Sequence, residues 1–230
     1  MELGRLETVF KILVLFGLMF SCVSLRAQIS LLNADEKSKL TILHANIGYG
    51  VSTTQQGESV WDEVDNSDNS GITYTLRWTQ CLLKSSIAYG MYAFGYNDNQ
   101  RNRIPGVTAF REKKQIVYVA PQVSYLKKRT AFPNVFGLID FGVGYLHYQS
   151  NSKLLENRTY KADYNGIGIN ANLGCEYAFA KRWGAKLEVG CLFSPIRPKS
   201  DSVIDDLALQ PRKRMNLFML FMQIGISTYL

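Results

Sequence analysis

"GIGINANLGCEYAFAKRWGAKLEVGC", residues 166–191, reads as two strands about a short turn. Ile167, Ile169, Ala171, Leu173, Cys175, Tyr177 and Phe179 alternate with Gly168, Asn170, Asn172, Gly174 and Glu176. After the turn, Ala185, Leu187, Val189, Cys191 and Phe193 alternate with Gly184, Lys186, Glu188 and Gly190. Period-two alternation over this length is a strand signal. The charges Glu176, Lys186 and Glu188 all fall in the polar set. The hairpin therefore has one uncharged apolar face and one face of glycine, asparagine and ions.

The same pattern runs outward along the chain. In "TILHANIGYGVS" (41–52), Leu43, Ala45, Ile47, Tyr49 and Val51 oppose His44, Asn46, Gly48, Gly50 and Ser52. In "GITYTLRWTQCL" (71–82), Ile72, Tyr74, Leu76 and Trp78 oppose Thr73, Thr75, Arg77 and Thr79. Less regular strands are expected over about 86–96 and 115–126, and a last strand over about 216–230. Another, over 135–148, sets Ile139, Phe141, Val143 and Tyr145 against Asp140, Gly142 and Gly144. That makes eight strands.

Alternation alone does not say which face is inside. A soluble lipocalin-like barrel buries the apolar set, whereas a membrane barrel turns it outward to lipid. Four features favour the second arrangement. The polar faces are built from Gly, Ser, Asn and Thr, which suit a narrow lumen; a soluble outer face usually carries many Lys and Glu. Long polar connections (53–70, 97–114, 149–165, 195–214) alternate with short ones (83–85, 127–134, 180–182), as in outer-membrane barrels. Aromatics on the apolar faces gather near strand ends. Tyr49, Tyr74, Tyr145, Phe193 and Phe218 lie toward the long loops; Tyr89, Tyr125, Tyr177, Phe179 and Trp183 lie toward the short turns. These are two candidate interfacial girdles. Last, the chain stops at a strand, with Phe218, Leu220, Met222, Ile224 and Ile226 on its apolar face. A closed barrel needs that strand to pair with the first, because an open edge cannot stand in lipid. The lipocalin-like alternative has no Gly-x-Trp motif opening its first strand.

The N-terminus reads as a targeting segment. Arg5 and Lys11 precede the apolar run Ile12–Phe20, and Ala27 stands at a cleavage position before Gln28. This is a secretory signal peptide, too short for a stable transmembrane helix. Cys22 raises lipidation as an alternative, on a poor lipobox. The expected organisation is a signal peptide (1–27), a periplasmic lead-in (28–40) and a barrel domain (41–230). The remaining Cys81, Cys175 and Cys191 have neither disulfide nor metal-ligand spacing, so small buried or lipid-facing thiols are expected. No metal or cofactor is expected. The 230 residues carry a formal charge of +7, but the cations are scattered and no RNA-binding motif appears, which argues against nucleic acid.

The signal peptide, the eight strands, "GCEYAFAKRWG" at a tight turn and the strand-terminal end resemble the small outer-membrane β-barrel proteins of Bacteroidota, a porin-like family. The likeness covers about residues 41–230. It implies an eight-stranded antiparallel up-and-down transmembrane β-barrel of the outer membrane, both termini periplasmic and the chain monomeric. It also implies contact with outer-membrane lipids and lipopolysaccharide, and recognition of the C-terminal strand by the barrel-assembly machinery. Members usually end on Phe or Trp; this chain ends Tyr229-Leu230.

Inward charges make up the candidate site: His44, Arg77, Asp140, Glu176, Lys186 and Glu188. In a lumen just wide enough for side chains they must pair, so a salt-bridge plug without a large pore is expected. A structural or surface-interaction role through the loops follows, with a lipid A-modifying enzyme as the alternative. For the enzyme, His147 near the long-loop end is the better placed imidazole, but Gln149 stands where a His-x-Ser spacing needs serine. The first loop is acidic (Glu58, Asp62, Glu63, Asp65, Asp68). The second is basic, with Arg101, Arg103, Arg111, Lys113 and Lys114, and is a candidate contact for lipopolysaccharide phosphates. "Asp201-Ser202-Val203" is similar to a short O-glycosylation signal, and Asn157-Arg158-Thr159 matches a sequon by pattern only.

Overall fold

Eight antiparallel strands close on themselves in sequence order in a computed structural model of the chain. The structure describes residues 40–55, 70–81, 86–104, 107–129, 132–154, 158–199 and 215–230. The expected signal peptide and Cys22, the expected lead-in before Leu40, the acidic segment 56–69 and Asp201-Ser202-Val203 lie outside the described residues. The strands are β1 (Leu40–Gln55), β2 (Ser70–Cys81), β3 (Ile87–Ile104), β4 (Val107–Arg129), β5 (Phe132–Leu154), β6 (Arg158–Ala178), β7 (Trp183–Pro198) and β8 (Met215–Tyr229). Closure comes from β8 against β1, in register from Ile42↔Tyr229 to Gln55↔Asn216. The seam continues one residue further, where Leu230 N–H donates to the Thr41 carbonyl at 2.9 Å. No strand of the barrel wall is left with an open edge along this seam, which is what closure achieves.

The alternation sorts as the sequence implies, with the apolar set outside. Ile47, Leu76, Ile139, Leu173, Val189 and Ile226 are exposed, while His44, Thr75, Asp140, Asn172, Glu188 and Ser227 are buried. Of the girdle residues, Tyr49, Tyr74, Tyr145, Phe193, Tyr125, Phe179 and Trp183 are exposed on the outside. Tyr177 is half-buried there. From Trp183 to Phe193, β7 carries the outer belt across about 25 Å at ordinary strand rise and tilt.

Two of the expected long loops are not loops. β3 runs on to Ile104 and β4 starts at Val107, so 97–114 is mostly strand. Likewise β5 reaches Leu154 and β6 starts at Arg158, inside the expected loop 149–165. β4 and β5 are each 23 residues long, about twice what crosses a bilayer. The physical reason is that "NDNQRNRI" and "VTAFREKK" lie above the apolar belt, where neither face meets hydrocarbon. Without an apolar face there is no period-two signal, and the strands are held by backbone pairing with their neighbours.

Candidate functional site: a layered lumen

The lumen is stacked in three layers. At the long-loop end, Tyr92, Phe94, Tyr96, Ile116, Tyr118, Leu146, Tyr148, Leu192, Leu217, Met219 and Phe221 pack into one buried cluster. Ring contacts tie it together: Phe94 and Phe221 lie 4.9 Å apart between centroids, and Tyr148 meets Tyr164 edge-on at 5.8 Å. At the short-turn end a smaller cluster joins Ile42, Cys81, Ala88, Ala178 and Tyr229, with Leu40, Leu126 and Phe136 against it. Between them lies the ionic layer. The expectation of a polar interior therefore needs correction: it is polar in the middle and apolar at both ends. The signal was hidden because β3, β4 and β8 are apolar on both faces, so alternation marks no polar inner face there.

All six candidate charges meet in the middle layer, drawn from β1, β2, β5, β6 and β7. They form two groups. In the first, Arg77 Nη1 donates to Asp140 Oδ2, and Nη2 donates to Glu188 Oε2 at 2.8 Å and Oε1 at 3.0 Å. Lys186 Nζ sits 2.5 Å from Glu188 Oε2 and 3.7 Å from Asp140 Oδ2. Two cations face two carboxylates, so this group is neutral. Asn172, with its amide oriented to satisfy its donors, accepts from Arg77 Nη2 at 3.1 Å and Asn170 Nδ2 at 3.0 Å. The Arg77 guanidinium also lies 5.1 Å from the Tyr92 ring centroid, joining this group to the aromatic plug above.

The second group lies toward the short-turn end. The Tyr229 hydroxyl donates to Glu176 Oε1. His44 Nδ1 lies 2.9 Å from Ser227 Oγ and 3.6 Å from Glu176 Oε2. One proton on either His44 or Glu176 makes this group neutral as well. Sequence reasoning named His44 and Glu176 but missed Ser227 and Tyr229. Both sit on the inner face of β8 and were discoverable by parity, as odd-numbered partners of the outward Ile224 and Ile226.

A serine, a histidine and a glutamate in contact invite comparison with a hydrolytic triad, and the geometry does not support one. A relay needs nucleophile and acid on opposite ring nitrogens. Here Ser227 and Glu176 both address Nδ1, and Nε2 has no hydrogen-bond partner among the described residues. The group is also capped by the lower cluster. His147 is half-buried on the outer surface, its Nδ1 2.7 Å from Asn165 Oδ1. Ser150 is buried on the inner face, because three residues along a strand changes sides. Among the described residues no cluster of His, Cys, Asp and Glu is arranged to ligate a metal. Cys81 belongs to the lower plug, and Cys175 and Cys191 lie on the outer side, all as free thiols.

The basic set divides between two faces. Lys113 is exposed, whereas Lys114 is buried on the inner face, opposite Asp98 in the β3–β4 register. Lys114 is therefore removed from the expected lipopolysaccharide contacts: its position is shielded by the extended sheet. Arg101, Arg103 and Arg111 lie on the extended β3–β4 hairpin rather than in a loop.

Small residues make room for the ionic layer. A Cβ on Gly190 would run into Asn172 Oδ1 and the Phe221 ring, so this position carries both the network and the plug. Gly190→Ala is expected to cost about 1–3 kcal/mol through overpacking, read as a lower urea midpoint for the detergent-folded barrel. An unchanged midpoint would show that the lumen has slack there.

Solved structures share this architecture. The chain is similar to a major outer membrane protein from Thermus thermophilus, with 13% identity and a TM-score of 0.53, covering 84% of this chain and 100% of that one. It is also similar to the outer membrane protein OprG from Pseudomonas aeruginosa, with 12% identity and a TM-score of 0.51, covering 85% of this chain and 97% of that one. At this identity the likeness is one of fold. It is the fold of outer-membrane barrels. No family model matches the sequence, and no curated protein matches it.

Proposed function

We propose that the protein is an integral outer-membrane β-barrel with a sealed lumen, and that its role is structural or surface-interacting, exercised by the part that stands above the membrane. The observation that carries the membrane reading is the inverted sorting of side chains. Leu76 is 64% exposed, Ile167 68% and Leu173 63%, while Arg77 and Glu188 beside them in the fold are buried. In water such a surface is far larger than the apolar patches soluble monomers tolerate; in lipid it is what a barrel requires. The aromatic rims at both ends support the same reading.

Export through a cleaved signal peptide and assembly through the C-terminal strand are parts of this proposal. So is membership of the Bacteroidota type, which rests on "GCEYAFAKRWG" and the overall pattern. A non-conducting barrel is favoured by the two apolar plugs, which leave the ions no aqueous route to either end. The enzyme alternative is disfavoured by the address of Ser227 and Glu176 on one nitrogen of His44.

Two measurements test the proposal. The protein should fractionate with outer membranes and migrate differently before and after boiling, as closed barrels do. In planar bilayers it should give no stable conductance step. A soluble protein without a mobility shift would overturn the membrane reading, and porin-sized steps would overturn the seal.

A further inference from the structure

We infer that the barrel wall carries a lateral window at the β5–β6 pair, a segment that opens toward the bilayer and is held shut by the hydroxyls of Tyr118 and Ser194. A proline has no N–H to give to a ladder, so within a sheet it belongs at an edge or a bulge. A closed barrel offers no edge. Two prolines nonetheless stand in its wall strands, Pro121 in β4 and Pro195 in β7.

Both prolines address the same segment. Backbone groups of successive residues in an antiparallel strand turn to alternate neighbours. Leu126 N–H donates to the Ser86 carbonyl on the β3 side at 2.7 Å, so the odd-numbered Pro121 faces β5, at Val143. Lys199 N–H donates to the Asp163 carbonyl at 2.9 Å; four residues further along β6, the same phase sets Ile167 against Pro195. Among the described residues, pairing lapses at both places. Between β4 and β5 it passes from Val119↔Tyr145 to Gln122↔Gly142, and between β6 and β7 from Gly166↔Ile196 to Ile169↔Phe193. On their other sides the prolines keep their places, Pro121 opposite Met91 and Pro195 opposite Asn216. The segment between the lapses is itself continuous, through Val143↔Ile169, Gly144↔Gly168 and Tyr145↔Ile167. One panel, two strands wide, is thus loose on both flanks at one height.

Side-chain hydroxyls stand in for the missing bonds. Ser194 Oγ donates to the Ile167 carbonyl at 3.1 Å, the acceptor that Pro195 cannot serve. On the other flank Tyr118 reaches from β4 beneath β5. Its hydroxyl lies 3.0 Å from Asn170 Oδ1, 3.2 Å from the Gly168 carbonyl and 3.4 Å from that of Gly142, and shares one proton among them. The panel is thin: its inner face carries Gly144 and Gly168, and a Cβ on Gly168 would stand 3.2 Å from the Tyr118 ring. Its outer face, Val143, Tyr145, Ile167 and Ile169, is exposed in the apolar belt. Backbone alone therefore separates the belt from the upper aromatic cluster, of which Tyr118 is part. Fewer backbone bonds lower the cost of local opening, and the two hydroxyls set what remains of it. The window gives onto hydrocarbon, so the seal against ions stands.

Amide hydrogen exchange, followed by NMR on the full barrel in nanodiscs, tests the window. Phe141 and Leu173 are the internal controls, since both are paired on both flanks at neighbouring heights. The amides of Val143, Gly144, Ile167 and Gly168 should exchange about tenfold faster than these controls. Tyr118→Phe and Ser194→Ala should each speed the panel amides by a further factor of about five, leaving the controls unchanged. Combining Pro121→Ala with Pro195→Ala supplies two N–H donors and should slow the panel to the rate of the controls. That variant keeps the test decisive if Tyr118→Phe fails to fold, which boiling-dependent mobility reports. A lipid carrying a nitroxide on its acyl chain should broaden the Tyr118 ring signals in the wild type, and less so in the double alanine variant. Uniform exchange in the wild type overturns the inference, as do panel rates unmoved by the proline replacements. A Tyr118→Phe barrel that folds and exchanges like the wild type overturns the role of its hydroxyl. Equal broadening in both proteins overturns the lateral direction. The exchange measurements stand without the outer-membrane reading, and the nitroxide measurement rests on it, so the two can fail separately.

Discussion

Val189→Arg should cripple insertion of the folded barrel into lipid. Val189 is 50% exposed at mid-height of the outer belt, between Trp183 and Phe193. An arginine on the lipid face costs about 2–4 kcal/mol near the bilayer midplane and about 0–1 near the interfaces. Trp183→Arg, at the rim, is therefore the matched control and should be tolerated. Folding into phosphatidylcholine vesicles, followed by urea titration, reads both. In a soluble protein the prediction reverses, because a charge at an exposed position usually moves stability by less than about 0.5 kcal/mol. Equal tolerance of Val189→Arg and Trp183→Arg would therefore sink the bilayer assignment.

Arg77→Leu should destabilise the barrel by about 3–5 kcal/mol. Its guanidinium holds Asp140 and Glu188 at once, and removing it leaves two buried carboxylates to share Lys186. The side chain is also closed off from water by the ring of Tyr92 and the plug above. Combining Arg77→Leu with Asp140→Leu restores the balance, since Lys186 and Glu188 remain as a matched pair. The double variant should recover most of the loss in the same urea titration. A single variant as stable as the wild type would mean that water reaches the ionic layer, and the lumen would no longer count as sealed. The two variants probe opposite sides of one wall: Val189 tests what lies outside it and Arg77 what lies inside.

The hairpin at 166–191 shows how much could be read from order alone. Its charges fall on one parity, so Glu176, Lys186 and Glu188 had to share a face whatever the fold. That the face turned inward could also be argued, from the company the charges keep. Glycine and asparagine fill a narrow lumen, and aromatic residues collect at the rims. The destination of each charge was another matter. Glu176 and Lys186 are direct register neighbours, yet they do not pair with each other. In the structure Lys186 turns to Glu188 and Asp140, while Glu176 is served by Tyr229. Strand tilt decides this, because it brings Asp140 of β5 across the lumen to Lys186 and swings Tyr229 of β8 under Glu176.

Amino-acid order by itself determined the strand count, the faces of the alternating strands and the apolar outer belt, because a period of two depends on nothing beyond the neighbouring residue. Tertiary structure decided three further things. It stacked Tyr92, Phe94 and Phe221 from separate strands into a plug, where apolar residues on both faces had erased the pattern. It extended β3 to β6 past the belt, where no hydrocarbon writes an alternation into the sequence. It also set Pro121 and Pro195 against opposite flanks of one β5–β6 segment, since lateral neighbours in a sheet are fixed by register between strands far apart in the chain.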